Sequence, residues 1–188
     1  MPENVKPTAS LTEEELLEKL QDGCENLSEI LWDLAILYAK THRPIMAFSY
    51  LERLISNCEL SSTKVIWYMK MGIVMEEVRD YESAILCYSR VFSLKPSMDM
   101  NRYFMHNNIG YCLNQLGRYG EAESYCRDAI QVNPIRHNAY KNLGVSLEGQ
   151  GQYLQAAECY SRATMLCPKD PHAAEHFAAL WRRIREIG

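Results

Sequence analysis

Residues 137–170, HNAYKNLGVSLEGQGQYLQAAECYSRATMLCPKD, hold the pattern that decides the fold. Tyr140, Leu143, Gly144 and Leu147 fall at helical spacing and form one apolar stripe. Gly151 follows in a turn, where a left-handed residue closes the first helix. Ala156, Tyr160 and Ala163 then mark a second helix, and Pro168 ends it because proline cannot continue a helix. Gly144 and Ala156 remove bulk where the two helices of such a hairpin approach, and Ala163 does the same against the next hairpin.

The pattern recurs upstream. Gly110, Ala122 and Pro134 each stand 34 residues before Gly144, Ala156 and Pro168. Gly72, Ala84 and Pro96 stand 38 residues earlier again, so four residues around Asp99 to Arg102 are inserted without changing the internal spacing. The middle copy reads His106, Ile109-Gly110, Leu113, then Ala122, Cys126, Ala129 and Pro134; the copy before it reads Tyr68, Met71-Gly72, Met75, then Ala84, Tyr88, Val91 and Pro96. A degenerate copy spans about residues 28–61, with Leu31, Leu34-Ala35 and Tyr38 on one helix and Ala47, Leu51 and Leu54 on the next. It lacks the closing proline, and Pro44 falls between its helices.

Three co-registered copies resemble the tetratricopeptide repeat (TPR) family, whose pattern runs W-x₂-L-G-x₂-Y, then A-x₃-F, then P. The resemblance implies an all-α, right-handed α-solenoid of helix-turn-helix repeats with a C-terminal capping helix. The expected divisions are a disordered stretch over residues 1–9, an N-terminal helix over 10–27, a degenerate repeat over 28–64, repeats over 65–102, 103–136 and 137–170, and a cap over 171–188. Ser10-Leu11-Thr12-Glu13 reads as a capping box for the first helix. In the cap, Ala174, Phe177, Ala178 and Trp181 continue the packing stripe, with Arg182, Arg183 and Arg185 on the outer face. Helices of about 12 residues are marginal alone in water, so neighbouring hairpins must stabilise one another.

Composition narrows the function. Hydrophobic residues make up 47% and charged residues 23% of 188, with a net charge of -4, which suits a packed protein and argues against a nucleic-acid binder. No apolar run reaches the roughly 18 residues that membrane insertion needs. The polar N-terminus lacks a secretory core, so a cytoplasmic location is expected. Seven cysteines occur without any C-x-x-C pair and mostly among apolar helical residues, where a free thiol packs as a small hydrophobe.

In the resembled family, first helices line a groove that receives an extended peptide or an amphipathic helix. Helical geometry places opposite the packing stripe Met69, Lys70, Ile73 and Glu76; Asn107, Asn108, Tyr111 and Asn114; and Lys141, Asn142, Val145 and Glu148. Trp32, Asp33 and Ile36 would join them. Asn108 and Asn142 precede the hydrophobe-glycine pair in consecutive repeats, and each amide can both donate to and accept from a peptide backbone. The family's clamp for chaperone tails would need lysine and asparagine where Met69 and Ile73 stand, so that ligand is not expected. Met69, Ile73, Tyr111 and Val145 instead make the groove partly apolar.

Catalytic motifs fail on context. His172-Ala173-Ala174-Glu175-His176 matches H-x-x-E-H, and two histidines at i and i+4 could share a metal, but no third ligand stands at family spacing. Gly149-Gln150-Gly151 begins like a dinucleotide loop without the closing glycine, and Gly144-Val145-Ser146-Leu147-Glu148 misses the nucleophile elbow. The reading is therefore no enzyme and no cofactor, but an adaptor or scaffold that holds a partner protein's segment. A secretion chaperone of the type III kind and a self-associating homodimer are the alternatives.

Overall fold

The computed structural model describes residues 11–21, 26–94 and 99–187. The expected all-α architecture forms, with ten helices and no strand among the described residues. The chain divides into two compact units, after Thr63. The first holds α1 (Glu13–Gln21), α2 (Leu27–Lys40) and α3 (Pro44–Ser56). The second holds the hairpins α4 (Ser61–Glu77) with α5 (Tyr81–Ser93), α6 (Asp99–Gln115) with α7 (Tyr119–Val132), and α8 (His137–Gly149) with α9 (Tyr153–Leu166), followed by α10 (Pro171–Ile187).

In the first unit, Leu31, Leu34 and Ala35 of α2 and Ala47, Leu51 and Leu54 of α3 are all buried, as the degenerate repeat requires. Pro44 is the first residue of α3, where its missing N–H costs nothing. The capping box at the start of α1 differs from the one expected. Thr12 N–H donates to Glu15 Oε2 at 2.7 Å and Glu15 N–H to Thr12 Oγ1 at 3.3 Å, while Ser10 and residues 1–9 lie outside the described residues. The box needs hydroxyl and carboxylate three residues apart at the first turn, and helix start at Glu13 puts Thr12 there. Tyr38 Oη and Arg43 Nη2 both donate to Glu13, at 2.8 and 2.6 Å, and hold its carboxyl below the usual range.

In the second unit each hairpin turns through a residue with positive φ. Gly117 and Gly151 have φ of 73° and 77°, as expected, but Arg79 occupies the same corner at 61°. His42 repeats it in the first unit at 55°. In all four the following N–H bonds back over the helix end: Arg43 to Tyr38 O at 2.8 Å, Asp80 to Met75 O at 2.9 Å, Arg118 to Leu113 O at 2.9 Å and Gln152 to Leu147 O at 2.8 Å. The inserted residues from Asp99 form the first turn of α6, a 17-residue helix against 13 for α8, so the insertion adds about one helical turn.

The core follows the repeat. Cys126, Leu143, Leu147, Ala156, Ala157, Tyr160 and Leu180 pack together, with Tyr160 and Ala156 of α9 lying on the α8 stripe. Tyr103 packs with Ala129 and Ala139 where consecutive hairpins meet. Cys112 and Cys126 are buried free thiols, Cys87 is buried, and Cys58, Cys159 and Cys167 are partly buried and free; Cys24 lies outside the described residues.

The cap departs from expectation. On α10, Ala173 and Leu180 are buried while Ala174 and Ala178 are exposed and Trp181 is 40% exposed. The helix seats the face that meets the preceding hairpin. Among the described residues no second helix covers its continuing stripe.

Candidate functional site: a hollow on the first helices

Two adjoining hollows open on the face made by the first helices of the second unit. One, of about 190 Å³, is lined by Glu76 of α4, Asn107, Asn108 and Tyr111 of α6, and Asn138, Lys141 and Asn142 of α8. The other, of about 350 Å³, is lined by Tyr111, Asn114 and Gln115, by Lys141, Asn142 and Val145, and by His172 and His176 of α10. Tyr111, Lys141 and Asn142 belong to both.

Three of the asparagines read as exposed are not. Asn107, Asn114 and Asn142 are 8%, 6% and 6% exposed. They form one network between α6 and α8. Asn142 Nδ2 donates to Asn107 Oδ1 at 3.1 Å; Asn114 Nδ2 donates to Asn142 O at 2.8 Å; Ser146 Oγ donates to Asn114 Oδ1 at 2.9 Å. Asn107 Nδ2 passes the chain on to Asn108 Oδ1 at 3.1 Å. The correction has a simple cause. A first helix is covered by its own second helix on one side and by the preceding first helix on another, so only a narrow strip stays open. Buried amides there must pair with one another. Asn142 thus forms the floor of the hollows, and only the half-buried Asn108 presents its amide nearer the rim.

Two acidic residues are likewise engaged. Tyr160 Oη donates to Glu148 Oε2 at 2.8 Å, and Tyr88 Oη to Glu76 Oε1 at 2.6 Å, the same pair two hairpins earlier. Glu148 also stands 3.9 Å from Arg183, and it does not line either hollow. Burial pushes the Glu76 carboxyl up, against the Tyr88 hydrogen bond that lowers it. On α4, Met69 is half-buried, Ile73 is 47% exposed, and the Lys70 ammonium sits 4.7 Å above the Trp67 ring. Trp32, Asp33 and Ile36 are half-buried on α2 in the first unit, and burial raises the Asp33 carboxyl.

The hollow carries charge of both signs around an apolar middle. Lys141 reaches Asp170 at 3.9 Å, which His137 Nε2 also approaches at 3.1 Å. Burial opposes ionisation of Asp170, but the His172 N–H, Lys141 and His137 together hold its carboxyl below the usual range. The His176 ring stacks on Tyr160 at 5.2 Å, and burial lowers its pKa.

Sequence reasoning left out Asn138, Gln115, His172 and His176 as lining residues. The repeat register contains the signal for three of them. His172 and His176 stand 34 residues after Asn138 and Asn142, so they continue the same strip onto α10. The H-x-x-E-H spelling is explained by this register and by the 3.6 Å approach of His172 to Glu175; no group of three metal-ligating side chains occurs among the described residues.

The family model for the tetratricopeptide repeat matches residues 103–135 and 137–170. These two stretches are tetratricopeptide repeats. Among curated tetratricopeptide proteins, an uncharacterized repeat-containing protein of Arabidopsis thaliana is 33% identical over 109 residues, covering 54% of this chain and 13% of its own length. The BBSome complex member BBS4 homolog of Drosophila melanogaster is 25% identical over 182 residues, covering 89% of this chain and 36% of its own. The match therefore spans well under half the length of both relatives. Among solved structures, the first TPR domain of Spaghetti (RPAP3) bound to an HSP90 peptide superposes with a TM-score of 0.59 at 21% identity, over 66% of this chain and 95% of that one. MamA from Desulfovibrio magneticus gives 0.58 at 21%, over 86% and 97%. At such identities the likeness is one of fold.

Proposed function

We propose that this tetratricopeptide repeat protein is a protein-interaction module that holds a segment of a partner protein in the hollow along α4, α6, α8 and α10. The observation that carries the reading is the pair of adjoining hollows that share Tyr111, Lys141 and Asn142. Ile73, Tyr111 and Val145 supply an apolar track for a partner's hydrophobic side chains. Lys141 and Asn108 supply charge and amide groups at its rim, and Asn138 lines it between them. The buried asparagine network beneath keeps α6 and α8 in fixed register, so the track is pre-organised. Met69 and Ile73 replace the polar pair that an acidic chaperone tail would need, which favours a segment with apolar side chains, helical or extended.

The test places a photo-crosslinking amino acid at Tyr111 or Ile73 of the full chain in its source cell. Crosslinks should converge on one segment of a partner protein, and Val145→Arg should remove them. Crosslinks that stay within the chain, or that survive Val145→Arg, would reject the hollow as the binding site.

A further inference from the structure

The middle hairpin of the second unit departs from the repeat at two positions that meet in space. His106 of α6 stands 38 residues after Tyr68 and 34 before Tyr140, so it replaces a tyrosine of both neighbouring hairpins. Asp128 of α7 stands at the same intervals from Arg90 and Arg162, so it replaces an arginine of both. In the last hairpin the arginine covers the tyrosine, with the Arg162 guanidinium 6.0 Å from the centre of the Tyr140 ring. In the middle hairpin a carboxylate approaches an imidazole instead, and the imidazole is smaller than the phenol it replaces.

A cavity of about 440 Å³ opens at that imidazole, lined among the described residues by Arg102 and His106 of α6 and by Asp128, Gln131 and Val132 of α7. Phe92 and Tyr125 hold the ring in place, at 5.0 and 6.0 Å between ring centres. Its Nδ1 is buried and has no hydrogen-bond partner, and Asp128 Oδ2 stands 3.8 Å away, too far for a direct hydrogen bond. One donor atom between the two would reach both at about 2.8 Å. Burial favours the neutral ring, and with its proton on Nε2 that ring offers a lone pair at Nδ1. Nδ1 and Oδ2 are then two acceptors around one gap. Arg102, one helical turn before His106, lines the same cavity; its five N–H donors can serve both the interaction it already makes and a carboxylate.

We propose that this cavity binds a free α-amino acid, with its ammonium between His106 Nδ1 and Asp128 and its carboxylate on Arg102. Two acceptors at the spacing of one shared donor suit an ammonium, while the nearby guanidinium would repel a simple amine. A zwitterion answers both, and its charges match a site whose own two charges are opposite. The volume lies at the lower end of the range for small-molecule sites, which suits one amino acid. Gln131 and Val132 are left to meet its side chain. The cavity shares no lining residue with the hollows on the first helices, and it stands whether or not those hold a peptide.

The test screens the full chain against each of the common L-amino acids by differential scanning fluorimetry and titrates the most stabilising one by calorimetry. At least one should raise the melting temperature and bind saturably, with a Kd of about 1 mM or below. Its methyl ester lacks the carboxylate and its N-acetyl derivative lacks the ammonium; each should bind about tenfold more weakly or worse. Asp128→Asn and Arg102→Gln should weaken the parent amino acid by a similar factor. His106→Tyr, which restores the residue of the neighbouring hairpins, should abolish binding in a chain that still melts cooperatively. Val145→Arg, in the hollow on the first helices, should leave binding unchanged. Failure of every amino acid to bind at about 2 mM would overturn the proposal and leave a water as the bridge between His106 and Asp128. So would an ester or N-acetyl derivative that binds as well as its parent, or binding that survives Asp128→Asn and Arg102→Gln but is lost with Val145→Arg.

Discussion

A β-carbon placed on Gly144 would stand 2.4 Å from Cε1 of Tyr160, inside the ring's own contact distance. Gly72 and Tyr88 repeat the relation at 2.4 Å, and in both hairpins the same phenol hydroxyl donates to a glutamate on the first helix. The glycine lets the ring in, and the hydroxyl fixes it there. The middle hairpin replaces the ring by Cys126, whose Sγ would lie 2.7 Å from a Gly110 β-carbon.

Gly144→Ala should therefore destabilise the protein by about 1–3 kcal/mol through overpacking, more than offsetting the roughly 1 kcal/mol that alanine gains in a helix. The Tyr160 ring is buried and has no room to retreat. Urea denaturation of the full chain reads the change; a midpoint at or above the parent value would contradict the packing described.

Arg79 sits at φ 61° in a corner that glycine fills at residues 117 and 151. Arg79→Gly should raise stability by about 0.5–1 kcal/mol, the relief of left-handed strain less the entropy of glycine. Gly117→Ala should lower it by about 1 kcal/mol, since nothing but its backbone conformation opposes a side chain there. Thermal melts of the two variants should move in opposite directions.

Asn142→Ala should cost about 1–3 kcal/mol, because it leaves buried Asn107 without the donor to its side-chain oxygen. Asn108→Ala, at the half-buried end of the network, should cost less. Chemical denaturation separates them. Equal small effects would mean the amides face solvent, as the sequence alone suggested.

His106 lies with its Nδ1 buried and 3.8 Å from Asp128, near Arg102. Burial lowers its pKa below the ordinary 6.5, although Asp128 pulls the other way. The unfolded chain therefore binds the proton more readily, so this residue's contribution is intact above about pH 6.5 and is lost as pH falls from there toward the folded value. His106→Gln should flatten the stability profile in that window, measured by denaturation at several pH values; an unchanged slope would exclude His106 as its source.

The sequence determined the hairpins. Small residues at fixed intervals, prolines after second helices and glycines in turns act locally, through clashes and backbone freedom that depend on little beyond each residue's near neighbours. Gly144, Ala156 and Pro168 were thus legible together with their counterparts, and so was the strip that holds Lys141, Tyr111 and Val145. What a residue meets across helices was not. Whether Asn142 faces water or Asn107, whether Glu148 greets a ligand or Tyr160, and whether the α10 stripe is covered or bare depend on which helices pack against each face. That choice is made by the stacking of whole hairpins, and a periodic pattern carries it only where one repeat can be compared with the next.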